Sequence, residues 1–162
     1  MPYRCAVCGE QHDDLPDLGA EFPDPYLALT EDERATRADY TRDRCIIREK
    51  DGEHYFVRGV IPFPIHETKE IFGVGAWVSQ SHANFNRYYE VDESSAPTFG
   101  WLVTRLAHYP QDTFLLKTEL RFRERGKRPW IMLEPTNHHA AIEQREGISL
   151  DRAWEIVHRY ME

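Results

Sequence analysis

Two apolar-rich segments, Cys45-Ile46-Ile47-Arg48-Glu49-Lys50 and Glu53-His54-Tyr55-Phe56-Val57-Arg58, meet at Asp51-Gly52. No other feature of the chain restricts the fold so strongly. An Asp-Gly pair tolerates the positive φ angles of a two-residue hairpin turn and so makes the flanking strands antiparallel neighbours. This turn sets Ile47 opposite Phe56 and leaves Cys45 at the open end. Pro62 and Pro64 are expected to end the second strand. Residues 71–79 form another strand, with Phe72, Val74, Ala76 and Val78 on one face and Gly73 and Gly75 on the other. From residue 114 onward, Phe114, Leu116, Leu120 and Phe122 alternate with Lys117, Glu119, Arg121 and Arg123, the pattern of a strand buried on one face. A turn at Gly126 leads into Trp130-Ile131-Met132-Leu133 and completes a second antiparallel hairpin.

Helices are signalled elsewhere. Thr30-Glu31-Asp32-Glu33 matches a capping box and opens a short, polar surface helix reaching about Tyr40. Phe85, Tyr88 and Tyr89 recur at helical spacing after Ser81. Asn137 is placed to cap a helix through Glu146, which Gly147 ends. A last helix starting near Ser149 puts Leu150, Ala153, Trp154, Val157, Tyr160 and Met161 on one stripe, suited to packing on a sheet. Strands without long crossovers, followed by terminal helices, define an α+β domain with a mainly antiparallel sheet. We divide it into an acidic irregular segment with a short helix (residues 1–43), a sheet region (44–134) and C-terminal helices (135–162).

The 162 residues are 41% hydrophobic, enough for one sizeable core and one domain. Trp77, Trp101, Trp130 and Trp154 are expected to build that interior. With 20 basic against 28 acidic residues the net charge is −8, which argues against nucleic acid as a partner, since phosphate-backbone binding is driven by basic surfaces. Residues 1–43 hold 11 acidic and 4 basic side chains; residues 117–128, by contrast, carry six basic and two acidic ones, which suits a solvated strand face or contact with a carboxylate. No apolar run is long enough to span a bilayer, and Met1-Pro2-Tyr3-Arg4-Cys5 has no signal-like apolar stretch, so no membrane partner and a cytoplasmic location are expected. Three cysteines in a chain of this size point to reduced thiols.

Cys5-x-x-Cys8 followed by Gly9 can place two thiolates on one ion, as in a zinc knuckle. Cys45 and His12 are the expected remaining ligands of a structural zinc, and Asp43 or His82 could replace His12. Such a site would clamp the acidic N-terminal segment to the first hairpin. Two idle reduced cysteines are the plain alternative. A second constellation lies near the C-terminus. His138 at a helix start, with Glu134 and Arg145, is the weak candidate for catalysis, whereas His139 would pair with Glu143 four residues on. The plain alternative is a His138 bonded to main chain. No nucleophile elbow, phosphate loop or His-Glu-x-x-His motif is present.

Several strings occur in order along nearly the whole chain: Cys5-Ala6-Val7-Cys8-Gly9, Asp43-Arg44-Cys45, Phe56-Val57-Arg58-Gly59, Gly75-Ala76-Trp77-Val78-Ser79, Gly100-Trp101-Leu102, Leu133-Glu134-Pro135-Thr136-Asn137-His138 and Gln144-Arg145-Glu146-Gly147-Ile148. Together they resemble the bacterial domain of unknown function 2199 family, with a departure at His138-His139-Ala140-Ala141. The resemblance implies a single domain and no particular activity. The first expectation for function is a zinc-stabilised protein that binds an unidentified protein or small molecule. The second is a hydrolase-like enzyme using an open metal position or His138. A third is an acidic inhibitor directed at a basic partner.

Overall fold

The computed structural model describes residues 15–160 and, as backbone, residues 3–4, 11–12 and 161. In chain order its elements are β1 (Tyr3–Arg4), β2 (Gln11–His12), α1 (Asp24–Leu27), α2 (Glu31–Arg37), β3 (Ala38–Tyr40), β4 (Arg44–Glu49), β5 (Gly52–Pro64), β6 (Ile71–Gln80), α3 (His82–Asn86), β7 (Thr98–Trp101), β8 (Lys117–Arg121), β9 (Trp130–Leu133), α4 (His139–Glu146) and α5 (Leu150–Met161). β1 and β2 pair with each other, and the remaining strands form one mixed sheet in the order β3-β4-β5-β9-β8-β7, with β6 on the other edge of β5.

The sheet curls until its ends meet. β6 runs antiparallel to β5 from Tyr55↔Gln80 to Pro64↔Ile71. Its opposite edge reaches β7 through the bridge Val78↔Leu102 and the bond from Val103 N to Trp77 O at 2.8 Å. β7–β8 and β8–β9 are antiparallel, and β9 returns to β5 in parallel at Val60↔Trp130. The strands β5 to β9 thus close a ring. Its core holds Val57, Ile61, Val74, Ala76, Val78, Leu102, Leu120 and Ile131, and Ala140, Ala153, Trp154, Ile156 and Val157 of α4 and α5 join the same cluster. Gln144 is buried in it. Its side chain accepts from Leu133 N at 2.7 Å and donates to Ile131 O at 2.9 Å, so α4 completes the hydrogen bonding of β9.

The outer face of the ring carries a second cluster, Cys45, Ile47, Phe56, Trp77 and Val103. Residues 18–29 strap across it. Leu18 N donates to Gly73 O (3.1 Å), Gly75 N to Leu18 O (2.6 Å) and Asp24 N to Val103 O (2.9 Å), while Trp77 Nε1 donates to Ala20 O (2.8 Å). This close approach explains the glycines of β6, since a Cβ at Gly75 would stand 2.9 Å from Gly19 Cα. Phe22 stacks on Tyr26 and leans on Tyr40, whose hydroxyl donates to Glu21 O at 2.6 Å. Protein contacts of this kind hold the strap down.

Several expectations are corrected. The first hairpin turns at Lys50-Asp51, so Ile47 faces His54 and Cys45 faces Phe56; Gly52, at φ 132°, is the first paired residue rather than a turn residue. β5 continues through Pro62. Val60 N points at the β9 edge, and period-two alternation puts the missing N–H of Pro62 on that same edge, beyond the last β5–β9 pair. The capping box at Thr30 forms, but α2 stops at Arg37 because residues 38–40 pair with β4. α3 ends at Asn86, short of Tyr88 and Tyr89. β8 begins at Lys117 instead of Phe114, since Leu115 adopts φ 67° and breaks the alternation. His138, not Asn137, caps α4.

Replacing Gln144 with Leu should strand the Leu133 N–H and Ile131 carbonyl and lower unfolding free energy by about 1–3 kcal/mol. Chemical denaturation monitored by tryptophan fluorescence checks this.

Candidate functional site: an apolar groove on the outer face

The strap leaves part of the second cluster uncovered. There Ile47 of β4, Phe56 of β5 and Ser79 of β6 floor a groove of about 1040 Å³, walled by Pro25, Trp101 of β7, Val103, Phe114 and Leu115. The strands supply the floor because alternate residues of each point to this face. Trp101 is 40% exposed and Leu115 52% exposed at the mouth. Trp101 is therefore not part of the interior, as its pattern suggested. Trp77 and Trp154 are buried, and Trp130 is half-buried beneath the Arg123 guanidinium at 3.8 Å.

The mouth is held in place. Leu115 occupies the left-handed region at φ 67°, a conformation that costs a non-glycine residue about 1 kcal/mol or more. Thr113, buried, fixes the loop by accepting from Leu106 N at 2.8 Å and donating to Thr104 O at 3.0 Å. Leu115 N then donates to Leu102 O at 2.7 Å. Phe114 lies 4.2 Å below the Arg105 guanidinium, which is itself set between Asp24 and Asp112. Burial pushes the Asp24 carboxyl up, against hydrogen bonding from Arg105 N.

Charged groups form the far rim. Arg37 pairs with Glu33 at 2.6 Å and also with Glu49; Arg48 pairs with Asp39; His54 Nε2 lies 3.2 Å from Asp51 Oδ1. Lys50 has no carboxylate partner among the described residues. The groove thus combines an apolar floor with one uncompensated cation. That is the usual composition of a small-molecule site, a largely apolar concavity with few polar groups.

The sequence-derived candidates fall elsewhere. Cys5 and Cys8 lie outside the described residues, as does the side chain of His12, whose backbone pairs with Tyr3 in the β1–β2 ladder. Cys45 is free and fully buried, and its thiol is pushed up to about 12 by burial and then by Asp39. Among the described residues no group of three histidine, cysteine or carboxylate side chains is placed to hold a metal. Asp43 pairs with Arg128 at 3.0 Å, and His82 stacks on Tyr55.

His138 uses both ring nitrogens on main chain: Nδ1 accepts from Ala140 N at 3.0 Å and Nε2 lies 3.2 Å from Asp112 O. Glu134 and Arg145 line a separate cavity of about 720 Å³ beside β8 and β9, with Arg145 donating to Thr136 O at 2.9 Å. His139 and Glu143 do not pair as expected. Glu143 instead takes a two-pronged bond from Arg152 at 2.8 and 3.2 Å. Around that pair lie His108, whose Nδ1 is 3.2 Å from the Tyr160 hydroxyl, and the buried ring of Tyr109.

Fold and site define a small α+β protein with a curled mixed sheet and an open apolar groove on its outer face. The chain belongs to the bacterial family described as an uncharacterized protein conserved in bacteria (DUF2199), whose model matches residues 4–148. No curated protein and no solved structure matches it.

Burial, then Arg152, pushes His108 down to about 4 from its ordinary 6.5. Between those values the unfolded chain binds a proton that the native state refuses. His108 therefore costs nothing above pH 6.5 and removes stability progressively as pH falls towards 4, by at most about 3 kcal/mol. Denaturation midpoints across this window should fall less steeply in His108→Phe than in the parent chain.

Proposed function

We propose that this is a cytoplasmic binding protein whose outer groove holds an amphipathic small molecule, its apolar body against Phe56, Trp101 and Phe114 and its anionic head at Lys50. The observation that carries the reading is the uncovered groove of about 1040 Å³ with Trp101 and a strained, exposed Leu115 at its mouth. Strain in a loop this firmly bonded is what a functional position tolerates and a structural one does not need. Binding is favoured over catalysis because His138, the base that the sequence offers, has both nitrogens engaged by main-chain groups. Cytoplasmic placement is supported by the free Cys45, and no helix among the described residues is long and apolar enough to cross a membrane.

Anilinonaphthalene sulfonate combines aromatic rings with an anion and suits the groove. It should bind once per chain, and saturated carboxylates should displace it with affinity rising by up to about 0.8 kcal/mol per methylene. Trp101→Ala and Leu115→Gly should each weaken the probe at least tenfold, and Leu115→Gly should leave the denaturation midpoint unchanged or raised. Unchanged probe affinity in both variants would remove the groove as the site.

A structural zinc knuckle at Cys5 and Cys8 is a second part of the reading. It is supported by the CxxCG motif and by the Tyr3↔His12 pairing, which sets His12 beside the strand leading into Cys5. His12 and Cys45 are its proposed further ligands, and a metal would have to draw the Cys45 proton away from a strongly raised thiol. Elemental analysis should find one zinc per chain, absent from Cys5→Ser and Cys8→Ser. Its loss or retention in Cys45→Ala decides whether the knuckle is tied to β4. Metal-free parent protein of equal stability contradicts the knuckle.

A further inference from the structure

The fold gathers the basic run of residues 117–128 with cations from distant parts of the chain. Arg128 Nε reaches Asp43 Oδ1 at 3.0 Å, Arg58 donates from its backbone to Asp43 O at 2.9 Å, and Arg58 Nη1 donates to Arg42 O at 3.3 Å. Arg44 lies 4.5 Å from the Phe85 ring centroid and 4.5 Å from that of Tyr89. Beside them is a small cavity of about 110 Å³, lined by Arg123, Arg125, Lys127 and Arg128 together with Asp43, Glu124 and Tyr89. That is a few water volumes, room for a compact anion and not for a nucleoside.

Acceptors are scarce around it. Asp43 is taken by Arg128, and Glu124 by Lys127 at 2.8 Å. Arg123 stacks on Trp130 and donates to Arg128 O at 3.3 Å, and neither Arg123 nor Arg125 has an ion pair among the described residues. Four cations, Arg123, Arg125, Lys127 and Arg128, thus line the cavity against two carboxylates, Asp43 and Glu124, while Asp92 acts on Arg125 and Glu21 on Arg58 from outside the lining. The buried Arg58 Nε has no acceptor among the described residues, and Arg58 is pushed down by burial and by the charge of Arg128. An excess of like charge is relieved by an anion, and a phosphomonoester brings about −1.5 to −2 charges and three acceptor oxygens to several cations at once, where a carboxylate brings one charge and two oxygens.

We propose that this cavity binds the phosphoryl group of a small phosphomonoester, with Arg123, Arg125 and Lys127 on its oxygens and the exposed Tyr89 ring beside the ester substituent. The site is separate from the outer groove and does not depend on it.

Phenyl phosphate titrated by calorimetry tests the proposal. The parent protein should bind one equivalent saturably, with benzoate, the matched carboxylate, at least tenfold weaker. Arg125→Gln/Lys127→Gln alters two exposed side chains and should weaken binding at least tenfold with the denaturation midpoint unchanged. Asp43→Asn, which frees Arg128, should tighten it. Equal binding of phenyl phosphate and benzoate, no saturable binding, or affinity unchanged in the double variant with Asp43→Asn no tighter would overturn the site. Binding of anilinonaphthalene sulfonate to the double variant should match the parent.

Discussion

β5 has ordered neighbours on both edges and on both faces, and the rest of the molecule follows from that. Residues 52–57 pair with β4; three residues further on the same edge meets β9 in parallel, while β6 covers the other edge for ten pairs. The change of partner on one edge makes the sheet curl and close. It depends on Gly59, since a Cβ there would stand 2.8 Å from both Ile131 Cγ1 and Pro129 O. With period-two alternation, Val57, Ile61 and Phe63 enter the ring, while Phe56 and Arg58 face outward. Phe56 becomes groove floor. Arg58 becomes part of the basic cluster on the same outer face.

How far the fold could be read in advance follows from this double burial. Alternation in β6, the capping box of α2, the turn at Gly126 and the stripe of α5 from Leu150 to Tyr160 are local signals, and each stands where the pattern put it; the Met161 side chain lies outside the described residues. Closure of the ring left no local mark, because it rests on one parallel pair and one isolated bridge between segments far apart in sequence. Ile156 was missed on α5, where the buried arc, Ala153, Trp154, Ile156 and Val157, is wider than the single stripe that the pattern suggested. The strap was expected as an irregular segment held on the domain, but not the contacts that hold it. An irregular acidic stretch looks unable to hold itself, yet main-chain bonds to β6 and a stack of Phe22, Tyr26 and Tyr40 hold residues 18–29 in place.

The candidate site was less legible. Trp101 looks like any core tryptophan in a strand, yet it stands on the open groove, 40% exposed. Leu115 carries no sequence sign of a left-handed conformation; in its place stood an apolar alternation that the bulge interrupts. His138 was singled out for its place at a helix start, and that place explains its bonds, since a ring nitrogen there can satisfy a free amide of the first turn. The basic run was plain in the composition, but its convergence with Arg44 and Arg58 required the tertiary fold.

The indole N–H resonance of Trp101 reports most directly on whether the outer groove holds the proposed ligand. On titration with a long-chain saturated carboxylate the Trp101 signal should shift strongly and saturably, with backbone shifts at Ile47, His54 and Leu115, while the buried Trp154 stays still. Saturable shifts clustered around another part of the molecule, or none at all, would contradict it.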